Sequence, residues 1–147
     1  MIFDQTNLFS FAQAITATAG STNTIDLGAT GRPFGASANL KRDIGPGEPI
    51  PLLVQVVTAF DSVADDETIT VSLELDSTET FTPDKSIVLG VLTNAQLKVV
   101  GTRIPFRVIP DYVDMRYMRL KYTVAGSGAF TAGALTAGVV MGVQTNG

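Results

Sequence analysis

Apolar and polar side chains alternate with a period of two along much of this chain. Between Thr68 and Leu75, Ile69, Val71, Leu73 and Leu75 alternate with Thr70, Ser72 and Glu74. Successive side chains of a strand point to opposite faces, so this pattern predicts a strand with the first set inward. The stretch after Arg116 repeats it. Tyr117, Arg119, Lys121 and Thr123 fall on one side, and Met118, Leu120, Tyr122 and Val124 on the other, core side. From Arg103 to Ile109, Ile104, Phe106 and Val108 oppose Arg103, Pro105 and Arg107. Pro105 has no backbone N–H to give a ladder, which places this strand at a sheet edge. Residues 50–60, IPLLVQVVTAF, are almost all apolar and rich in β-branched types. They predict a buried central strand.

Weaker segments fill the intervals. Residues 1–14 hold Phe3, Leu8, Phe9 and Phe11 among polar neighbours and read as a short helix or an extended arm that docks on its own core or on a neighbour. Residues 15–19 alternate weakly, Gly20-Ser21 reads as a turn, and 24–27 as a short strand with Ile25 and Leu27 on one face. The Gly/Ala/Ser-rich segment 28–39 is a long surface loop and a candidate contact element. Turn signals stand at 45–49, 76–83 and 110–112, a further strand at 86–93, and a turn or short strand at 94–100. Gly126 and Gly128 interrupt the C-terminal stretch, Phe130 restarts it, TAG occurs at 131–133 and 136–138, and the apolar run 139–143 closes it. That end of the chain predicts two or three antiparallel strands joined by small-residue turns. In the TAG pair, glycine serves a tight turn or a close backbone approach. Eight to ten short strands at this spacing, with no long amphipathic helix, predict an all-β fold. The best fit is an antiparallel two-sheet jelly-roll sandwich. It forms one domain over residues 1–147, with 1–14 as a candidate docking arm.

Composition narrows the function. Charged residues are 16% of the chain, against about a quarter in a typical soluble domain, which leaves more neutral surface for contact. The net charge of −4 argues against a nucleic-acid partner, which selects basic patches. With no Cys and no His, thiolate chemistry and the commonest general base and metal ligand are excluded. No signal-peptide pattern and no bilayer-length apolar stretch is visible, so no membrane partner is expected. Residues 61–85 carry eight acidic side chains and one basic; 102–121 carry five basic (Arg103, Arg107, Arg116, Arg119, Lys121) and two acidic. These charges either match across strands within the fold or make a bipolar docking surface.

Candidate chemistry is thin. Asp61, Asp65, Asp66 and Glu67 could hold a hard cation, but they lack EF-hand spacing, and a solvated loop is the simpler reading. Glu74 and Asp76 share a strand face, yet nothing marks a cleft, and the Trp usual in sugar sites is missing. No nucleophile elbow, P-loop or dinucleotide fingerprint occurs. The chain is therefore expected not to be an enzyme and to need no cofactor.

Several stretches together resemble a known family. They are MIFDQTNLFSFAQAIT and GSTNTIDLG, RDIGPGEPIPLLVQV, TVSLELDST, and above all DMRYMRLKYTVAGSGAFTAGALTAGVVMGVQ. The chain resembles the jelly-roll cement, or decoration, proteins of tailed-bacteriophage heads, of the type found in the Bordetella podophage. That resemblance implies a structural virion protein, made in the host cytoplasm, that coats the outside of the icosahedral head and clamps major capsid protein subunits together. It also implies self-association, with a homodimer favoured and a trimer as the other option. The alternative is a receptor- or glycan-binding jelly-roll module of a tail or fibre. The candidate protein-interface residues are Phe3, Phe9, Phe11, Arg32, Phe34, Arg116, Tyr117, Arg119 and Lys121. On this reading Arg119→Glu leaves the fold intact and weakens assembly, whereas Leu120→Asp prevents folding.

Overall fold

A computed structural model describes residues 3–40, 50–108 and 115–142. The turns expected at 45–49 and 110–112, and the end of the 139–143 run, lie outside the described residues. After a single 3-10 turn at Gln5–Asn7 come β1 (Leu8–Ala14), β2 (Ala19–Gly20), β3 (Ile25–Asp26), β4 (Ile50–Ser62), β5 (Thr68–Asp76) and β6 (Lys85–Leu92). A short helix α1 (Asn94–Leu97) precedes β7 (Arg103–Val108), β8 (Tyr117–Ala125) and β9 (Phe130–Val139).

The pairing is nested. The first strand pairs with the last (β1 with β9), β2 and β3 pair with β8, β4 pairs with β7, and β5 pairs with β6, all antiparallel. A long hairpin rolled up on itself gives this order, which is the jelly roll. Rolling adds β4–β9 and β5–β8 and completes two sheets, β1-β9-β4-β7 and β2-β8-β5-β6 with β3 also on β8.

The alternation seen in the sequence sets the core. Leu52, Val54 and Val56 of β4 and Leu135 and Ala137 of β9 meet Ile69, Val71, Leu73 and Leu75 of β5 and Met118, Leu120 and Tyr122 of β8. Both β4 and β5 are central strands, as their apolar content demands, and Pro105 lies on the edge strand β7. One flank is closed by Phe106 of β7, whose ring lies against Gly90 of β6; a Cβ at position 90 would stand 2.8 Å from it. Hydrogen bonds stitch the other flank. Asn23 donates its backbone N–H to the Phe9 carbonyl and its side-chain amide to the Leu8 carbonyl, and Gln13 Nε2 donates to the Gly20 carbonyl.

Four expectations change. The N-terminal segment is a 3-10 turn followed by a strand, because Phe9 and Ile15 both reach the core. The turn expected at Gly20-Ser21 is instead preceded by a short edge strand that ends at Gly20. Segment 94–100 opens with α1, started by Thr93, whose N–H donates to Gln96 Oε1. Finally, β8 and β9 are consecutive but do not pair: residues 126–129 carry the chain from one sheet to the other.

Candidate interaction surface

The outer face of the β8-β5-β6 sheet is built from three matched rows. Arg119 stands opposite Glu74, and Glu74 opposite Ser86; Lys121, Ser72 and Val88 make the next row; Thr123, Thr70 and Val91 the third. Val88 and Val91 are three residues apart yet share this face. A bulge between the Val88 and Gly90 pairings inserts one extra residue, Leu89.

Half of this face is covered by the chain itself. The connection 77–84 folds back so that Phe81 is buried and the Arg119 guanidinium carbon lies 4.2 Å above its ring. Arg119 Nε also donates to Glu74 Oε2 at 2.7 Å, and Glu74 is itself buried. Asp76 fixes the start of the connection: its Oδ1 accepts from the Thr78 N–H at 2.7 Å and from Thr78 Oγ1 at 3.0 Å. Beside this cluster, Arg116 grips Asp26 with two bonds of 2.7 Å and lies over the Tyr117 ring. The hydrogen bond to Asp26 holds the Arg116 pKa above its ordinary value.

The other half is bare. Thr123 is exposed, Val88 and Val91 are 65% and 53% exposed, and Thr70 and Lys121 are half-buried. This strip is mostly β-branched and neutral apart from Lys121, with Ser72 buried between Lys121 and Val88.

The acidic segment 61–67 is not one solvated loop. Asp61 belongs to β4. Asp65 pairs with Lys98 at 2.6 Å, and Asp66 accepts from the backbone N–H and hydroxyl of Ser127. Glu67 is fully buried beneath the sheet-crossing turn, where its Oε2 accepts from Ser62 Oγ and its Oε1 has no hydrogen-bond partner. The hydrogen bonds to Ser127 hold Asp66 below the usual carboxylate range. Among the described residues, no group of three or more carboxylates converges on a point where a metal ion would sit. Glu74 and Asp76 do share a face, and both are buried.

A model of the Bbp16 family matches residues 9–139. The chain belongs to the Bbp16 family. That name designates a Bordetella phage protein, so this is a phage family. No curated protein matches the chain.

In this Bbp16-family chain the candidate contact residues separate into three groups. Phe9 is fully buried and packs in its own core, so it leaves the set. Arg116 and Arg119 are tied to Asp26 and Glu74, and Tyr117 lies under Arg116. The Glu74–Arg119 pair joins one residue of the acidic stretch to one of the basic stretch, so that pair is matched across strands. Phe3, Phe11, Arg32, Phe34 and Lys121 remain at the surface, with Phe11 75% exposed and Phe34 fully exposed. The residues missed are Thr70, Thr123, Val88 and Val91. Gly90 was the available signal, since a glycine inside a strand marks a bulge that re-aims its neighbours.

Proposed function

We propose that this Bbp16-family protein is a structural virion component that decorates the outside of the icosahedral phage head and cements neighbouring major capsid protein subunits. The observation that carries the reading is the bare strip Lys121, Thr123, Thr70, Val88 and Val91 on a sheet whose other half is locked by Arg119, Glu74 and Phe81. A low-charge face buries neutral side chains against a partner with little desolvation cost. Repeated over an icosahedral shell, weak contacts of this kind add by avidity, because each copy bridges subunits already held in place. The phage family and the jelly-roll fold support the same reading.

The test is reconstitution. Heads lacking the protein are mixed with purified protein, sedimented, and heated alongside untreated heads. Co-sedimentation and a higher disruption temperature are expected. Failure to co-sediment removes the proposal, and cryo-microscopy density at the tail in place of the shell assigns the protein to a tail module.

A further inference from the structure

From Asp76 to Asp84 every second residue carries a side-chain oxygen: Asp76, Thr78, Thr80, Thr82 and Asp84. The same stretch holds Glu79 and no basic residue. Alternation of this kind could continue a strand, yet β5 ends at Asp76 and β6 begins only at Lys85. The oxygens are drawn together instead. Asp76 Oδ1 accepts from the Thr78 N–H and hydroxyl, and the Thr78 and Thr80 hydroxyls lie 3.2 Å apart. Asp84 Oδ2 accepts from the Ser77 N–H at 3.3 Å. The chain reverses at Phe81, whose φ is +47°. That region is unfavourable for a residue with a Cβ. Burial of the Phe81 ring, with the Arg119 guanidinium above it, holds the reversal in place.

One atom of this cluster is unsatisfied. Asp76 is 2% exposed, and its Oδ2 accepts no hydrogen bond. The two bonds to Thr78 turn that same carboxylate toward the connection. Arg119 is already paired with Glu74. A buried carboxylate oxygen with no donor costs stability, and a cation set against it removes that cost. Thr78, Thr80 and Asp84 are exposed, so the cluster opens to solvent on its outer side.

We propose that the β5–β6 connection is a calcium site, with Asp76, Thr78, Thr80 and Asp84 as its side-chain ligands. The spacing follows the first part of an EF-hand loop. There, positions one, three, five and nine supply ligands, and a glycine at position six makes the sharp turn. With Asp76 as position one, Thr78 is three, Thr80 five, Phe81 six and Asp84 nine. The left-handed backbone of Phe81 thus falls where that loop needs it. The bidentate Glu of position twelve is replaced by Ile87. Only two carboxylates serve the ion, and carbonyls and water complete its six to eight oxygens. Binding is therefore weak, roughly 10⁻⁴–10⁻³ M, as in extracellular calcium modules. The site stands independently of the capsid reading, because it is tested on the purified chain alone.

Chain stripped with a chelator is titrated with CaCl₂ by calorimetry and melted with and without the ion. One saturable site per chain, and a melting temperature that rises with Ca²⁺, are expected. Asp84→Asn keeps an oxygen for the Ser77 N–H and is expected to weaken binding at least about tenfold. Thr80→Val, at a second exposed ligand, is expected to weaken it several-fold. Glu79→Gln removes the same charge from the same connection at position four and is expected to bind as wild type. Asp66→Asn, in the other acidic segment, is also expected to bind as wild type. Circular dichroism without Ca²⁺ confirms the fold of each variant. Absence of saturable binding by the wild-type chain up to about 10 mM Ca²⁺ overturns the proposal. So does wild-type binding by both Asp84→Asn and Thr80→Val. Equal weakening by Glu79→Gln and Asp84→Asn overturns it too, since it reports diffuse attraction to negative charge. Loss of binding in Asp66→Asn alone moves the ion to the 61–67 segment and overturns this site.

Discussion

Arg119 Nε lies 2.7 Å from Glu74 Oε2, directly across the β8–β5 register. The Glu74 side chain is 9% exposed and that of Arg119 is 23% exposed, with the guanidinium stacked on Phe81. Reversing the charge at 119 therefore does more than change a surface. It sets two carboxylates opposite one another in a poorly hydrated site and releases the 77–84 connection. Arg119→Glu is expected to destabilise the fold by about 3 kcal/mol, the lower end for breaking a buried pair. Urea unfolding checks this; a midpoint equal to wild type would return Arg119 to the list of docking residues. The expectation from sequence that this variant keeps its fold is thus revised, whereas Leu120→Asp, at a fully buried position, is still expected to abolish folding.

Gly133 explains half of the TAG repeat. Its φ is +137°, and a Cβ there would stand 2.2 Å from Phe60 Cδ1. Phe60 cannot swing aside freely, since it packs edge-to-face on Phe130 with ring centres 4.9 Å apart. Gly133→Ala is expected to cost about 3 kcal/mol or more through strain and overpacking. Gly138, the other half, instead admits the N-terminal segment: a Cβ there would meet the Asn7 carbonyl oxygen at 2.9 Å. Thermal melting of the two alanine variants measures both, and a melting point near wild type for Gly133→Ala would show that the β9 backbone relaxes.

The sandwich was legible in the sequence wherever one face is buried and the period is two. Residues 68–75 and 117–124 fix both their strands and their inward sets, and Pro105 marks an edge. What could not be read was how strands are shared between sheets. The β8–β9 connection has the residues of a hairpin turn, and only the distant partners Leu73 of β5 and Val54 of β4 decide that its two strands separate. Burial of polar groups was equally hidden. Glu74 points outward as its alternation requires, yet the 77–84 connection covers it, and the cover depends on Phe81 at φ +47°, which no local pattern announces.

Tyr122 links the sheets through a buried 2.8 Å hydrogen bond between its hydroxyl and Ser10 Oγ. Burial pushes its phenol pKa far up, and the bond to Ser10 only partly offsets this. A raised folded-state pKa means that, above the unfolded value of about 10, the folded state holds a proton that the unfolded state has lost. The contribution is complete below that pH and declines as pH rises, by up to about 1.4 kcal/mol per unit. Tyr122→Phe should cost about 1 kcal/mol near neutrality and should flatten this alkaline loss. Stability measured from pH about 8 to 11 for both chains decides it. Parallel curves would mean that Tyr122 ionises within the folded state.

The bare strip makes the sharpest functional prediction because it separates folding from docking. Thr123 is exposed, and Lys121 projects from the same face without an ion-pair partner among the described residues. Thr123→Glu combined with Lys121→Glu adds charge where the sheet is neutral and touches no core side chain. Each surface change is expected to shift stability by no more than about 0.5 kcal/mol. On shells, each copy would have to desolvate two new carboxylates, and the cost recurs at every symmetry-related site. Occupancy of reconstituted heads should therefore fall sharply while the melting temperature holds. Arg119→Glu should show the opposite order, losing stability first. Full occupancy by the Lys121→Glu/Thr123→Glu chain would clear this face of any docking role and leave the edges and loops of the sandwich to carry it.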